Sequence, residues 1–178
     1  GLYDALNKGI KMADGDFVSW LNADDLLAPG AFEAMVSKYR QNPSAQFITG
    51  NSEIFHNDNG EPVTIKTYEF TKPSDFEKGR ITHNGSAICG CLFSSSFLES
   101  IGLFDPSFDI AGDMEFLFRI ASASPDCEKV NQTIYFYRAH EDSLTFSDSD
   151  FGPVTKKGSQ EMFELLPQYI QSPQSSPA

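Results

Sequence analysis

The strongest constraint on the fold is an apolar, strand-like run at residues 17–22 that ends in a polar and acidic cluster. Ala23, Asp24 and Asp25 follow the run directly. Buried parallel strands have this composition, and ligands of open α/β sheets bind at the edge where the strands end. The two carboxylates and the Asn22 amide supply oxygen ligands, which suit a hard divalent cation such as Mg²⁺ or Mn²⁺. The cluster therefore predicts a site where a cation neutralises a phosphate or diphosphate.

The same cluster also has a purely structural interpretation. A helix is predicted from about residue 29 to residue 40, and Asp24 or Asp25 is then an N-cap or a first-turn acid of that helix. Short acidic motifs are common, so the cluster alone does not decide between a cation site and a helix cap. The segments before and after it bear on that choice.

Patterns typical of helices and strands alternate along the chain, which predicts an α/β layer fold. Helices are predicted at about 2–13, 30–41, 95–101, 113–123 and 159–171. Strands are predicted at about 17–22, 46–55, 62–70, 87–93 and 129–138. The turn sequence at 57–60 joins the second and third of these strands into a hairpin. Residues 143–158 are rich in Ser, Asp and Gly, so we expect a flexible segment there.

Length and charge limit the class of protein. The chain has 178 residues, which is the length of one domain with a substantial core. Its 13 Lys and Arg against 25 Asp and Glu give a net charge of −12. This balance disfavours nucleic acid as a partner, because nucleic acid needs a basic surface. We find no signal peptide and no apolar run of transmembrane length, so no transmembrane segment is predicted.

The cysteines indicate the compartment. Cys89, Cys91 and Cys127 show no paired metal-binding spacing, and Cys89 and Cys91 alternate along a predicted strand, as core residues do. An odd number of cysteines without a disulfide framework favours a reducing compartment. We therefore expect a cytoplasmic protein, and association with the inner face of the membrane is left open.

A series of motifs runs through most of the chain. It comprises residues 3–10, 13–16, 20–25, 101–108 and 111–119, with a weaker match at 137–140. In order and spacing these motifs resemble family 2 glycosyltransferases, over about residues 1–146. The resemblance implies a GT-A-like fold, an α/β fold with a Rossmann-like mixed sheet flanked by helices. It also implies an enzyme that transfers a sugar from a nucleotide-sugar donor to a glycan or lipid-linked sugar, with inversion and assisted by Mn²⁺ or Mg²⁺.

The resemblance also assigns residues to the donor side of the site. It implies that Asp25 is the metal ligand, and that Asp24 and Asn22 face the ribose, the donor sugar or the water shell of the metal. The family often has an acid where this chain has Asn22, a change that removes one charge but keeps an oxygen donor. Asp4 and Asn7 match the helix that borders the nucleotide, so we expect both to bind it.

On the acceptor side, the resemblance implies that Asp113 is the base that deprotonates the attacking hydroxyl. A local alternative is that Asp113 is a helix N-terminal acid stabilised by the macrodipole, which would lower its pKa. The family usually has a second acid at the position of Gly112, and Glu115 is a reserve candidate for the base. We expect His140 near the diphosphate or the metal and His83 at the acceptor site. A surface-loop position is the alternative for both histidines.

The start of the chain also bears on function. Gly1 opens directly into a helical pattern, so we expect a fragment that lacks the first nucleotide-binding strands and binds nucleotide weakly by itself. Residues 1–146 then form a partial GT-A domain, and 147–178 a flexible segment, a helix and a disordered tail. A non-catalytic carbohydrate- or metal-binding module, or an inactive fragment of such an enzyme, is the alternative function. A nucleotidyltransferase would normally carry a Gly-rich phosphate loop, and none is found.

Overall fold

A computed structural model of the protein describes residues 1–59, 61–69, 88–140 and 153–170. In these ranges five helices and six strands form an α/β fold. The helices are α1 (Leu2–Met12), α2 (Ala31–Gln41), α3 (Ser95–Ile101), α4 (Gly112–Ala123) and α5 (Pro153–Ile170). The strands are β1 (Phe17–Val18), β2 (Leu26–Leu27), β3 (Phe47–Asp58), β4 (Glu61–Tyr68), β5 (Leu92–Ser94) and β6 (Cys127–Arg138).

The strands form one mixed sheet, in the order β1-β5-β3-β6-β2, with β4 paired to β3. β3 and β6 are parallel neighbours, with Phe47 opposite Cys127 and Phe55 opposite Arg138. The other pairings are antiparallel, and β3 and β4 form the predicted hairpin. β2, which directly follows the acidic cluster, pairs with β6. The end of β6 therefore lies beside the acidic cluster.

Stacked aromatic rings form the centre of the core. Trp20 stacks on Phe93 with ring centroids 4.8 Å apart, and Phe93 stacks on Phe47 at 4.7 Å. Phe104 stacks on Phe116 at 4.3 Å, and both rings meet Trp20 edge-on. Aromatic pairs of this kind contribute about 0.5–1.5 kcal/mol each beyond the burial of their surface. The stack fixes α4, which carries Phe116, against the segment between β1 and the acidic cluster.

The chain around Gly90 differs from the prediction. A strand was predicted at 87–93, but β5 begins only at Leu92, and Cys89 and Cys91 lie in a turn and not on one strand face. Gly90 has a φ of +74°, a left-handed conformation that ends an extended run and favours glycine. Cys91 is buried, whereas Cys89 is half-buried.

The acidic cluster does not cap a helix. α2 begins at Ala31 with Gly30 as its N-cap, and no side chain accepts a capping hydrogen bond there. The helix-cap alternative for Asp24 and Asp25 is therefore wrong. The residues after the cluster form β2 instead, a two-residue strand that the sequence did not predict because its pairing depends on β6.

α5 packs against α4. The helix begins at Pro153, six residues before the predicted start, so residues 153–158 are helical and the flexible segment predicted there is wrong for this part. Proline is favoured at the first position of a helix. Leu165 is buried, and the Tyr169 ring stacks on Phe118 with centroids 5.0 Å apart. None of the helices in the described parts of the chain combines the length and the hydropathy that crossing a bilayer requires.

Candidate active site

Asp25 lies at the centre of a hydrogen-bonded corner. Its Oδ2 atom accepts from Asn22 Nδ2 at 2.8 Å and from the Tyr135 hydroxyl at 2.5 Å, and its Oδ1 atom accepts from the Arg138 backbone N–H at 2.8 Å. The residue is only 4% exposed. A buried carboxylate requires partners of this kind. Asp25 therefore ties the turn after β1 to β6, and its role as a metal ligand stays a prediction.

Asp24 and His140 form a pair at the surface of this corner. His140 Nε2 lies 2.8 Å from Asp24 Oδ2, and their side chains are 33% and 46% exposed. The hydrogen bond from His140 holds the pKa of the Asp24 carboxyl below its usual range. Arg138 Nε donates to the Asp24 carbonyl at 2.8 Å. Two residues predicted at the donor side are thus adjacent and accessible to a ligand.

Asp113 is the second residue of α4. Solvent reaches its side chain, yet protein surrounds the carboxyl closely enough to raise its pKa to about 6, chiefly by desolvation. The Met114 backbone N–H donates to Oδ1 at 2.8 Å and opposes that shift. Desolvation therefore outweighs the local effect that would lower the pKa. A carboxylate of this pKa suits a general base that works near neutral pH.

Tyr3 holds the backbone next to Asp113. Its hydroxyl donates to the Ile110 carbonyl at 2.5 Å and accepts from the Asp113 backbone N–H at 3.2 Å. The ring packs on Gly112 so closely that a Cβ atom there would lie 2.6 Å from Tyr3 Cε2. This contact gives a physical reason for glycine at the position where the family usually has an acid.

The acidic corner lies beside α4. The Trp20 ring, just before the corner, meets the Phe116 ring of α4 edge-on, with centroids 6.0 Å apart. The pKa of the nearby Cys89 thiol is raised to about 12, chiefly by burial and in smaller part by the charges of Asp25 and Asp113.

The remaining predicted nucleotide-side residues have partners within the protein. Asp4 and Lys8 form an exposed ion pair at 2.8 Å. Asn7 is buried, and its amide both donates to and accepts from the backbone of Phe104, at 2.8 and 2.9 Å. Nucleotide binding by Asp4 and Asn7 stays a prediction. His83 lies outside the described residues.

Glu115, the reserve candidate for the base, is buried in an ion pair. Arg119 donates to its two oxygens at 2.6 and 2.7 Å, and Tyr169 donates at 3.0 Å. Arg119 also donates to the carbonyls of Ile101 and Leu103. The carboxylate of Glu115 therefore has three donors, whereas solvent reaches the side chain of Asp113.

The side chains at this corner can hold a cation only if a bound ligand supplies further oxygen atoms. Among the described residues, no three His, Cys, Asp or Glu side chains are grouped to hold an ion by themselves. The carboxylate of Asp24 and the imidazole of His140 are adjacent and reach solvent. Together they fit an ion that takes its other ligands from diphosphate oxygens and water.

Three residues close to the candidate site were not identified from the sequence: Tyr3, Tyr135 and Cys89. Tyr135 lies in an alternating strand pattern, which gives no signal of its bond to Asp25. Tyr3 precedes Asp4 in the first motif, so that motif contained a signal that was not used. Cys89 was interpreted as a strand residue because the turn at Gly90 was not recognised.

Comparison with known proteins identifies the family. The model of glycosyl transferase family 2 matches residues 1–101. The chain belongs to glycosyl transferase family 2. The resemblance to this family is confirmed; the matched range includes the motifs that contain Asp24 and Asp25 but ends before Asp113.

Curated relatives and a solved structure are similar to this family 2 chain. The glycosyltransferase YwdF of Bacillus subtilis is 30% identical over 121 residues, 66% of this chain and 43% of YwdF. The minor teichoic acid biosynthesis protein GgaB of the same organism is 27% identical over 143 residues, 80% of this chain and 16% of GgaB. S. aureus TarS in complex with UDP superposes with a TM-score of 0.59 at 14% identity, over 99% of this chain and 53% of that one.

Two facts follow from these matches. The predicted GT-A-like α/β fold is confirmed. The chain spans less than half the length of either curated relative.

Proposed function

We propose that the protein transfers a sugar from a nucleotide diphosphate donor to a hydroxyl group of a glycan or glycolipid, with inversion of the anomeric centre. Family membership supports sugar transfer. The bound UDP in TarS supports a uridine diphosphate donor, and the name of GgaB supports a cell-envelope polymer as acceptor. The most direct support is the packing of the acidic corner beside α4, which carries Asp113, through the edge-on contact of Trp20 with Phe116.

The donor side is the corner from Asn22 to Asp25. Asp25 fixes the turn through three hydrogen bonds, so the exposed pair of Asp24 and His140 is held in place beside it. We assign the diphosphate to this pair, with Asp24 and His140 as the residues that would hold Mn²⁺ or Mg²⁺ in place of the predicted Asp25, whose oxygens already accept three hydrogen bonds within the protein. Such an ion, when bound, supplies positive charge that stabilises the departing diphosphate.

The acceptor side is Asp113. The acceptor oxygen attacks the anomeric carbon from the face opposite the diphosphate, so that the new C–O bond forms as the C–O bond to the diphosphate breaks. The proton of the attacking hydroxyl passes to the Asp113 carboxylate, and the nucleoside diphosphate leaves. With a pKa of about 6, Asp113 is mostly ionised at neutral pH and still basic enough to take a proton.

A transfer assay on the full-length protein tests this function. UDP-glucose and UDP-N-acetylglucosamine are supplied with teichoic acid or glycan acceptors, UDP release is measured, and the anomeric configuration of the product is determined by NMR. We expect inverted product, lost in Asp113→Asn but retained in Glu99→Gln, a change of an exposed acid on α3. Binding of UDP-sugar by both variants without transfer by the wild type would support the non-catalytic binding module instead.

A further inference from the structure

The loop in front of Asp113 is bound by a carboxylate from α5. Glu161 accepts hydrogen bonds from the backbone N–H groups of Asp109, Ile110 and Ala111, at 3.2, 3.1 and 2.8 Å. The first N–H groups of a helix have no partner inside the helix, and successive N–H groups form a concave site for an anion. Glu161 fills that site at the start of α4.

The protonation state of Glu161 fits this contact. Burial alone would raise the pKa of its carboxyl, but the three backbone hydrogen bonds together hold the pKa below its usual range. Glu161 is therefore ionised throughout the range in which Asp113 titrates. Lys157, one turn earlier on α5, forms an ion pair with Asp109 and adds a second link to the same loop.

α5 is fixed to the body of the protein independently of Glu161. Leu165 is 2% exposed, the Tyr169 ring stacks on Phe118, and the Tyr169 hydroxyl donates to Glu115. The helix is thus attached to α4 one and two turns beyond Glu161. The Glu161 carboxylate therefore has a defined position, and its hydrogen bonds hold the loop in a fixed place relative to α5.

We propose that Glu161 is a positioning residue for Asp113. Ala111 is the N-cap of α4, and Asp113 follows two residues later. Asp113 lies in the first turn of α4, so if that turn unwound, the backbone of Asp113 would leave the helical conformation and its side chain would point elsewhere. Glu161 fixes the start of the helix and so the direction of the base. This inference rests on the proposed function, in which Asp113 takes the proton of the acceptor.

Kinetics of three α5 variants test the proposal in the full-length protein. Glu161→Ala removes all three bonds to the loop. Glu161→Gln removes the charge but keeps an amide oxygen for the N–H groups of Ile110 and Ala111. Glu164→Ala is the matched control, because Glu164 is an exposed acid of the same helix that pairs only with Gln160 in the described chain.

We expect kcat to fall on the order of 100-fold in Glu161→Ala, by less in Glu161→Gln, and not at all in Glu164→Ala, with KM for the donor unchanged. In an Asp113→Asn background, Glu161→Ala should cause no further fall. The proposal is overturned if kcat is the same in all three variants. It is also overturned if Glu161→Ala lowers kcat as much in the Asp113→Asn background as in the wild type. If Glu161→Ala fails to fold, comparing the kcat of Glu161→Gln with that of Glu164→Ala answers the same question.

A second measurement does not depend on activity. The pKa of Asp113 is read from its carboxyl ¹³C shift; Tyr3 and Cys89, the titratable neighbours coupled to it, both have raised pKa values and stay neutral in that range. We expect the value to move from about 6 toward the ordinary range in Glu161→Ala, less in Glu161→Gln, and not in Glu164→Ala. Equal shifts in the Ala and Gln variants would mean that charge alone acts, and would overturn positioning. A wild type without transfer would refute the proposed function, while this measurement still decides the inference.

Discussion

His140 Nε2 lies 2.8 Å from Asp24 Oδ2, although 116 residues separate the two in the chain. Neither side chain is buried, so the pair is available to a ligand. The pair forms because Asp25 binds the backbone of Arg138, two residues before His140, and so brings the end of β6 to the acidic corner. Under the proposed function, binding at the donor side therefore depends on a contact that is itself hidden from the ligand.

The first prediction concerns His140. Replacing it by Gln removes one of the two side chains proposed to hold the cation, so the affinity for UDP with Mn²⁺ should fall roughly 10–100-fold. Isothermal titration calorimetry measures this directly. His56→Gln, on the β3–β4 hairpin, is the control and should bind as the wild type does. Equal affinities in both variants would remove His140 from the donor site.

The second prediction is a pH dependence of transfer. Asp113 must be ionised to accept a proton, and desolvation raises its pKa to about 6, so kcat should rise with pH and level off above that value. Initial rates between about pH 5 and 8 measure the midpoint. His140→Gln should keep the midpoint near 6, since the titrating group is Asp113. A midpoint that vanishes with His140 would assign the titration to the histidine.

The third prediction concerns stability. The pKa of Asp113 is raised in the folded state, so the folded protein holds this proton more tightly than the unfolded chain. The stabilisation that this proton gives the folded state is complete below the ordinary pKa of an aspartate and is lost as pH rises through about 6. Asp113→Asn avoids that loss, and its Tm at pH 7.5 should exceed the wild-type Tm by roughly 2–4 °C. The difference should shrink below about pH 4, as thermal melts at both pH values will show.

The fourth prediction concerns Gly112. A methyl group at this position would lie 2.6 Å from the Tyr3 ring, so Gly112→Ala should destabilise the protein by about 1–3 kcal/mol. Gly9→Ala is the matched control, because nothing lies within 4 Å of the added methyl and the site is inside α1. That variant should be more stable than the wild type by about 0.5–1 kcal/mol. Urea unfolding of both measures the two free energies, and opposite signs are required.

The fifth prediction concerns the hidden contact of Asp25. Tyr135→Phe removes a donor from a buried carboxylate and should lower the free energy of unfolding by about 1–3 kcal/mol. Tyr39→Phe is the control, because the described chain gives its hydroxyl no hydrogen-bond partner. A similar loss in both variants would show that the bond to Asp25 adds nothing beyond the loss of any tyrosine hydroxyl.

Much of the fold could be predicted from local patterns. Helices α1 to α4 and the β3–β4 hairpin each carry their own periodicity or turn sequence, and the structure has all of them. β2 and the early start of α5 were missed. A two-residue strand has no periodicity of its own, and the first turns of α5 contain Gly158 and two lysines where an apolar face was sought.

The site was only partly predictable for the same reason. Asp24, Asp25 and Asp113 lie in motifs that can be recognised from the sequence without knowledge of packing. The bonds from Tyr135 to Asp25 and from Glu161 to the loop before α4 join segments 110 and about 50 residues apart. Such contacts result from the assembly of the sheet and the helices, and no local sequence pattern at Tyr135 or Glu161 predicts them.

The loop in front of Asp113 is bound by Tyr3 of α1 at the Ile110 carbonyl and by Glu161 of α5 at the Ala111 N–H. Synthesis delivers α1 first and α5 more than a hundred residues later, and domains begin to fold while the ribosome is still adding residues. A nascent chain can therefore form the sheet and the corner around Asp25 before Glu161 exists to bind the loop in front of Asp113. Under the proposed function, the residues that position the base thus come from segments made at widely separated moments of synthesis.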